Sequence, residues 1–370
     1  MKLPSSVVIL AIVASSLVMG QERHPGPLSQ VAVSQVQHPG SGIRPQTPMQ
    51  VDPVVEGIIG EVNLDSLVAS VRILSGEDSI QIGNAWVPIQ KRGTYAGGNL
   101  AADYLVQRLG SYNLEVHDES YSSYGRNVYA VQYGYLYPEK QFILCAHYDA
   151  VNLYSADDNA SGVAVVLEAA RILSHYDFKY TLVYALWDEE EEGANGSRAY
   201  ASQASSDQRQ IQGVLNLDML GWDSNQDGLA DVHAQNTANS GALANLFLIV
   251  NALYALPLRP VVYNPGTGQG DQSAFWEHGW GAVLLSEANY GGDLNPYDHA
   301  AEDRVSKFNL PYFHNMSKLS IGALSTLIEV STGPLIASVV PAVGYQTYAA
   351  DLQIKGVKTH FQENPAGTRA

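Results

Sequence analysis

The stretch TLVYALWDEEEEGANGSRAY, Thr181–Tyr200, decides how the rest of the chain reads. Its first seven residues, Thr181 to Trp187, carry no charge and are rich in strand formers, as expected of a strand buried on both faces within a parallel sheet. The strand runs straight into Asp188 and the four successive glutamates Glu189 to Glu192. Four acids in a row ordinarily mean solvent, but these stand where a buried strand leaves the core.

Two further apolar strands finish in the same manner. FILCAHYD ends in His147 and Asp149, and VLNLDMLGWD delivers Asp218. In an open α/β sheet the carboxyl ends of the strands converge on one crevice, where ligands bind. Two loops add to the set: SADDNASGVA places Asp157 and Asp158 ahead of a helix start, and NPYDHAAEDR places His299 ahead of Asp303. Singly, each has an ordinary explanation, since a lone histidine is usually a satisfied core or surface residue and acids before a helix are caps. Together, two histidines and at least three carboxylates without a cysteine ligand make a nitrogen and oxygen set that suits a pair of zinc ions, with manganese or cobalt also compatible.

Along the chain, strand candidates at LEVHDESY, NVYAVQYGY, QFILCAH, TLVYALW, GVLNL and AVLLSEA alternate with helical segments. The helices are NLDSLVASVRIL, NLAADYLVQRLG (opened by Asn99 and closed by Gly110), SGVAVVLEAARILSHY, SGALANLFLIVNALY and a closing helix over Pro311 to Thr332. This alternation predicts a layered α/β sheet. At 370 residues and 46% hydrophobic content the chain can bury a sizeable core. Its net charge of -17, with only 20 Lys and Arg, argues against a nucleic-acid partner. Lys2 ahead of the apolar run Val7 to Val18, with Val18 and Gly20 at the positions a signal peptidase reads, predicts a cleaved export signal over 1–20. The expected product is secreted, extracellular or periplasmic, with no stable membrane insertion after cleavage. Residues 21–50 read as a disordered pro-segment or tether, and 51–332 as the globular domain. Residues 333–370 form a tail without a metal-type cluster. The single cysteine, Cys145, excludes an internal disulfide and reads as a buried strand residue.

The ordered series HYD, ADDNASG, EEEGANGS, NLDML and NPYDHAAED resembles peptidase family M28, the secreted bacterial leucyl-type aminopeptidases in particular, over roughly Val51 to Thr332. The resemblance implies a single-domain α/β fold, a mixed sheet flanked by helices on both faces, and a co-catalytic dizinc centre that activates water against the peptide bonds of peptide or protein substrates. The family places a Glu pair before one spacer and a Gly; Gly193, Gly196 and Ser197 set that register, so the pair is Glu190 and Glu191 and the spacer Glu192. By this resemblance Glu190 is the general base and Glu191 a metal ligand, and alternation along an extended segment agrees with that split. Asp158 is implied to bridge both metals, with His147 and Asp218 completing one site and Glu191 and His299 the other. Asp149 is implied to hold the His147 imidazole. Departures concern the oxyanion partner: Thr267 stands where some members carry a tyrosine ahead of an Asp like Asp271, Asp298 precedes the last histidine, and Tyr297 is the candidate substitute.

A second pattern, DSNQDGLAD, sets Asp223, Asn225, Asp227 and Asp231 at positions 1, 3, 5 and 9 of a calcium-type loop with Gly228 at 6, but position 12 is Ala234. A calcium loop and a solvated turn both remain open for it. Functionally, an aminopeptidase competes with a carboxypeptidase or dipeptidase of the same family, a single-zinc glutaminyl cyclase-like acyltransferase, and a metal-free binding ectodomain. The joint presence of His147, Asp158, Glu191, Asp218 and His299 disfavours the last two.

Overall fold

A computed structural model describes residues 49–82, 84–331, 335–340 and 353–357. The expected export signal and nearly all of the 21–50 segment lie outside the described residues, as does much of the tail. The described chain opens with helices α1 (Pro53–Glu61) and α2 (Leu64–Leu74), a hairpin of β1 (Ser79–Ile82) and β2 (Ala85–Pro88), and helix α3 (Tyr95–Gly110). Strands β3 (Glu115–Ser120), β4 (Arg126–Gln132) and β5 (Tyr137–His147) follow, then α4 (Gly162–Leu173), β6 (Asp177–Phe178), β7 (Tyr180–Trp187) and α5 (Asn195–Ser206). The remainder is β8 (Gln210–Leu217), β9 (Leu229–His233), α6 (Ser240–Leu253), β10 (Arg259–Tyr263), α7 (Gln272–Glu277), β11 (Ala282–Glu287), α8 (Leu310–Ile328) and β12 (Val330–Ser331). In the tail, β13 (Leu335–Val340) pairs antiparallel with β14 (Gln353–Val357).

Eight strands form one mixed sheet in the order β10-β9-β11-β8-β5-β7-β4-β3. Its centre is parallel: β5 pairs in parallel with both β7 and β8, and β8 with β11. These are the uncharged runs of the sequence, because a central parallel strand meets helices on both faces and cannot present a polar side. Seven of the eight residues of β7 are buried. Flanking this centre, β4 pairs antiparallel with β7 and with β3, and β9 antiparallel with β11, while the outermost β10 pairs in parallel with β9. On one face α2, α3, α4, α6 and α8 contribute to the larger hydrophobic core, around Leu144, Val166, Leu215, Phe247 and Phe313. On the other, α5 and α7 close a smaller core around Ile143, Trp187, Tyr200 and Phe275.

Three expectations are corrected. The second expected helix starts earlier than Asn99, at Tyr95, because Thr94 supplies the cap: its hydroxyl accepts from Gly97 N–H. Strand β9 runs through residues 229–233, the end of the stretch read as a calcium loop, and β10 carries no apolar run long enough to announce it. The region after β7 is a turn and not extended chain. Cys145 lies inside β5, fully buried, as its apolar setting requires.

One buried cation links the outer helices to the sheet edge. Arg92, 3% exposed, donates from Nε to Tyr148 O (2.7 Å), from Nη1 to Leu74 O (2.6 Å) and Tyr154 O (2.9 Å), and from Nη2 to Ser155 O (2.8 Å). It thereby ties the end of α2 to the loop that follows β5. Replacing Arg92 with Met strands four carbonyls in the interior, and an unsatisfied buried acceptor costs roughly 1–3 kcal/mol. Denaturant unfolding of Arg92→Met should show a loss of about 3 kcal/mol or more; a loss under about 0.5 kcal/mol would show that water replaces the guanidinium.

Candidate metal centre

The carboxyl ends of β5, β7 and β8 lie side by side, so His147, the glutamate turn and Asp218 emerge at one edge. Asp149 organises them. One of its oxygens takes His147 Nδ1 at 3.1 Å and Glu190 N–H at 3.1 Å, and the other takes Glu191 N–H at 3.2 Å. A carboxylate is acceptor only, so Nδ1 carries a ring proton and Nε2 is the nitrogen left facing outward. It meets two more acceptors, Asp158 Oδ1 at 3.3 Å and Asp218 Oδ1 at 3.5 Å.

A second group repeats the pattern. His299 Nε2 lies 3.1 Å from Asp158 Oδ2 and 3.1 Å from Glu191 Oε2. Asp158 therefore offers one oxygen to each imidazole. Ligand-type atoms of His147, Asp158 and Asp218 fall within 4.8 Å of one another, as do those of Asp158, Asp298 and His299. Glu191 Oε1 and Asp218 Oδ1 are buried with no hydrogen-bond partner. Lone pairs crowded together without donors repel unless a cation stands between them, so this donor set fits metal.

Electrostatics carry the same message. Burial disfavours charge on His147, yet Asp218, Asp149 and Asp158 push its pKa well above the usual value. A hydrogen bond to Asp158, helped by the charge of Glu191, lifts His299 to about 9. Burial and the neighbouring acids lift Glu191 to about 9. Burial also works to raise Asp158, but the imidazoles of His147 and His299 hold it well below the carboxylate range. The pocket attracts positive charge from every side.

The glutamate turn separates the four acids. Glu189 has φ 55° and its carboxylate accepts from Tyr121 O–H at 2.9 Å, away from the ligand groups. Glu192 is exposed. Glu190 and Glu191 both line the cavity beside the ligands, so the two differ in partners and not, as alternation suggested, in facing opposite ways. Glu191 reaches His299, whereas Glu190 is free, its pKa pushed by burial and acidic neighbours up to about 7. Gly193 supports the turn at φ 110°, and a Cβ on Gly196 would stand 2.4 Å from both Asn127 Oδ1 and Asp188 O.

The loop that carries His299 is bound to the one that carries Asp158. Asp303 accepts from Asp157 N–H and Asp158 N–H, and Asn295 donates to Asp157 Oδ2 at 2.9 Å. Asp157 also accepts from Leu220 and Gly221 N–H beside Asp218. The first acid of ADDNASG thus holds the backbone while the second faces the ligands. Asp298, considered in the sequence only for the oxyanion, joins the second group through its position beside His299. Tyr297 packs against Trp222 and Lys307, while Tyr290 and Thr267 line the cavity. The place of Tyr290 on the cavity wall had no signal in the sequence, because it comes from a loop that only the folded sheet brings over.

These features define a class: an open mixed-sheet α/β protein with paired metal-type ligand groups, sharing one carboxylate, at the carboxyl edge of its sheet. Within that class the chain belongs to peptidase family M28, whose family model matches residues 127–324. It is 30% identical over 208 residues to a probable leucine aminopeptidase of Arthroderma benhamiae, an alignment covering 51% of this chain and 54% of that protein. The chain thus spans about half the length of the curated relatives it matches. In fold it is similar to the LapA aminopeptidase of Legionella pneumophila, with TM-score 0.63, 19% identity and coverage of 77% and 78%. It is also similar to the glutaminyl cyclase of Porphyromonas gingivalis, with TM-score 0.56, 18% identity and coverage of 72% and 99%. One fold therefore serves both, and the site has to separate them.

Of the expected calcium oxygens, those of Asp223 and Asn225 meet on one backbone N–H, while Asp231 does not join them. Asp227 N–H donates to Asp223 Oδ1 at 3.2 Å and Asn225 Oδ1 at 2.9 Å, and Leu229 N–H to Asp227 Oδ1 at 2.9 Å, which closes a turn. Asp231 sits apart inside β9, fully buried, with Oδ2 taken by Tyr290 N–H at 2.6 Å. Among the described residues the three aspartates do not form a metal-type group. Adding millimolar calcium should therefore leave the melting temperature unchanged. A saturable rise that disappears in Asp223→Asn would restore the calcium reading.

Proposed function

We propose that this protein is a secreted two-metal exopeptidase, zinc-dependent, that removes residues from the amino end of peptides. The observation that carries the reading is Asp158, whose two oxygens address two separate histidine-containing groups, with Glu190 left unliganded on the same cavity wall. His147, Asp158 and Asp218 would hold one zinc, and Asp158, Glu191 and His299 the other, with Asp298 beside it. Two such ions supply Lewis acidity and a nucleophilic water at neutral pH. Asp149 keeps His147 in the ligating tautomer and anchors both glutamate amides. Glu190 would take the proton from the attacking water and return it to the departing amine; a group bound as ligand could not do both.

The choice of the amino end rests on charge. Asp158, Glu190, Glu191, Asp218 and Asp298 line the cavity, and among its described lining residues Arg198 is the one with a permanent positive charge. That guanidinium is paired with Glu277. Against the four positive charges of two zinc ions these five carboxylates would still leave the cavity net negative, which matches a substrate α-ammonium better than a terminal carboxylate. The aminopeptidase name of the curated relative supports this reading. Export rests on the character of residues 1–20; among the described residues no helix is long and apolar enough to cross a membrane.

Glu190→Gln removes the proton acceptor and keeps the shape, so turnover of amino-acid arylamides should fall by a factor on the order of 10²–10⁴ with metal content intact. Glu191→Gln should lose metal and activity together. Elemental analysis beside rates for both variants checks this, and an active Glu190→Gln would overturn the assignment. On a panel of free and amino-blocked peptides, residues should be released from free amino ends only. Cleavage of blocked peptides from the other end, or conversion of glutaminyl peptides with loss of ammonia alone, would replace the reading.

A further inference from the structure

The cavity beside the ligand groups encloses about 540 Å³ and extends beyond the acids. The metal-type ligands come from the ends of β5, β7 and β8 and from nearby loops. Across β11 lies a different wall, built by His233, Leu284, Ser286, Asn289, Tyr290 and Thr267. It holds neutral hydrogen-bonding groups and one aliphatic side chain, and none of the metal-type ligands described above.

His233 is the most constrained of them. It ends β9, is 2% exposed, and has Leu284 of β11 and Tyr263 of β10 as register neighbours. Its ring stacks on Tyr263 at 5.4 Å and meets the ring of Tyr290 edge-on at 4.7 Å. Thr267 N–H donates to Nδ1 at 3.3 Å. A ring nitrogen that accepts a hydrogen bond carries no proton, so the neutral imidazole holds its proton on Nε2. Burial pushes the ring pKa down to about 4, which keeps it neutral at physiological pH. No hydrogen bond from Nε2 is found among the described residues. The wall therefore carries a neutral N–H donor fixed between two aromatic rings.

We propose that His233 is a specificity-determining residue: it reads the side chain of the substrate's first residue and selects a neutral amide, asparagine or glutamine, over an aliphatic side chain of the same shape. The proposal rests on the amino-end peptidase reading and names its substrate class. An aliphatic chain placed there would bury the Nε2–H without a partner, whereas an amide carbonyl satisfies it and the amide NH₂ finds acceptors in Ser286, Asn289 or Thr267. An acidic side chain would add a further carboxylate to a cavity that already holds five.

The test compares shape-matched pairs, Asn with Leu and Gln with Met, as arylamides and as free amino acids. The metal-loaded wild type should show kcat/KM higher for the amide of each pair by about tenfold or more, and L-asparagine should bind more tightly than L-leucine in calorimetry. His233→Phe, which keeps an aromatic ring but has no donor, should lower both ratios at least tenfold, mainly through KM. His233→Gln, which restores an N–H, should recover part of the preference. Equal binding of asparagine and leucine to the wild type, or a ratio unchanged in a folded His233→Phe, overturns the proposal. Failure of the peptidase reading would look different: no arylamide cleaved at all, with the amino-acid binding ratio still deciding the role of His233.

Discussion

A buried carboxylate must be met by donors or by a cation, and this constraint organises the whole carboxyl edge of the sheet. Acids gather there in numbers that would repel one another apart. Some are consumed by backbone: Asp149 binds the amides of Glu190 and Glu191, Asp303 those of Asp157 and Asp158, and Asp157 those of Leu220 and Gly221. The oxygens left over, on Asp158, Asp218 and Glu191, have no donor of this kind and face the imidazoles. The division of labour between neighbouring acids thus follows from where amides are available.

That division also makes the site rigid. The loop carrying Asp158 is held from below by Arg92 and from the side by Asp303, and the loop carrying His299 is held by Asn295 on Asp157. Left-handed backbone at Tyr154, Ser155, Glu189, Ala194, Met219 and His299 marks places where the chain bends beside these groups. Non-glycine residues keep that conformation only where surrounding contacts over-determine it, which is common at functional sites. The cores on the two sheet faces supply the stiffness, and the edge carries the chemistry.

Much of this was legible in the chain itself. Central parallel strands advertise themselves by uncharged runs, so β5, β7, β8 and β11 were readable, and with them the positions of His147, the glutamates and Asp218. Strands β9 and β10 were not, since both are only five residues long and Asp231 looked like part of a loop. The early start of α3 was hidden because Thr94 resembles any other loop threonine until its hydroxyl is seen on Gly97 N–H. The alternation offered in support of the split between Glu190 and Glu191 does not apply, because the segment turns instead of extending.

The sequence by itself determined the fold class and set His147, the glutamates and Asp218 at the ends of apolar strands, because these depend on local runs and side-chain chemistry. Tertiary structure alone decided which acid serves backbone and which serves the site, and brought Arg92, Asp298, Tyr290 and His233 to their places. The reason is physical: a carboxylate or imidazole has its role set by the donors and acceptors around it, and here those come from segments far apart in the chain that meet only where the strands end.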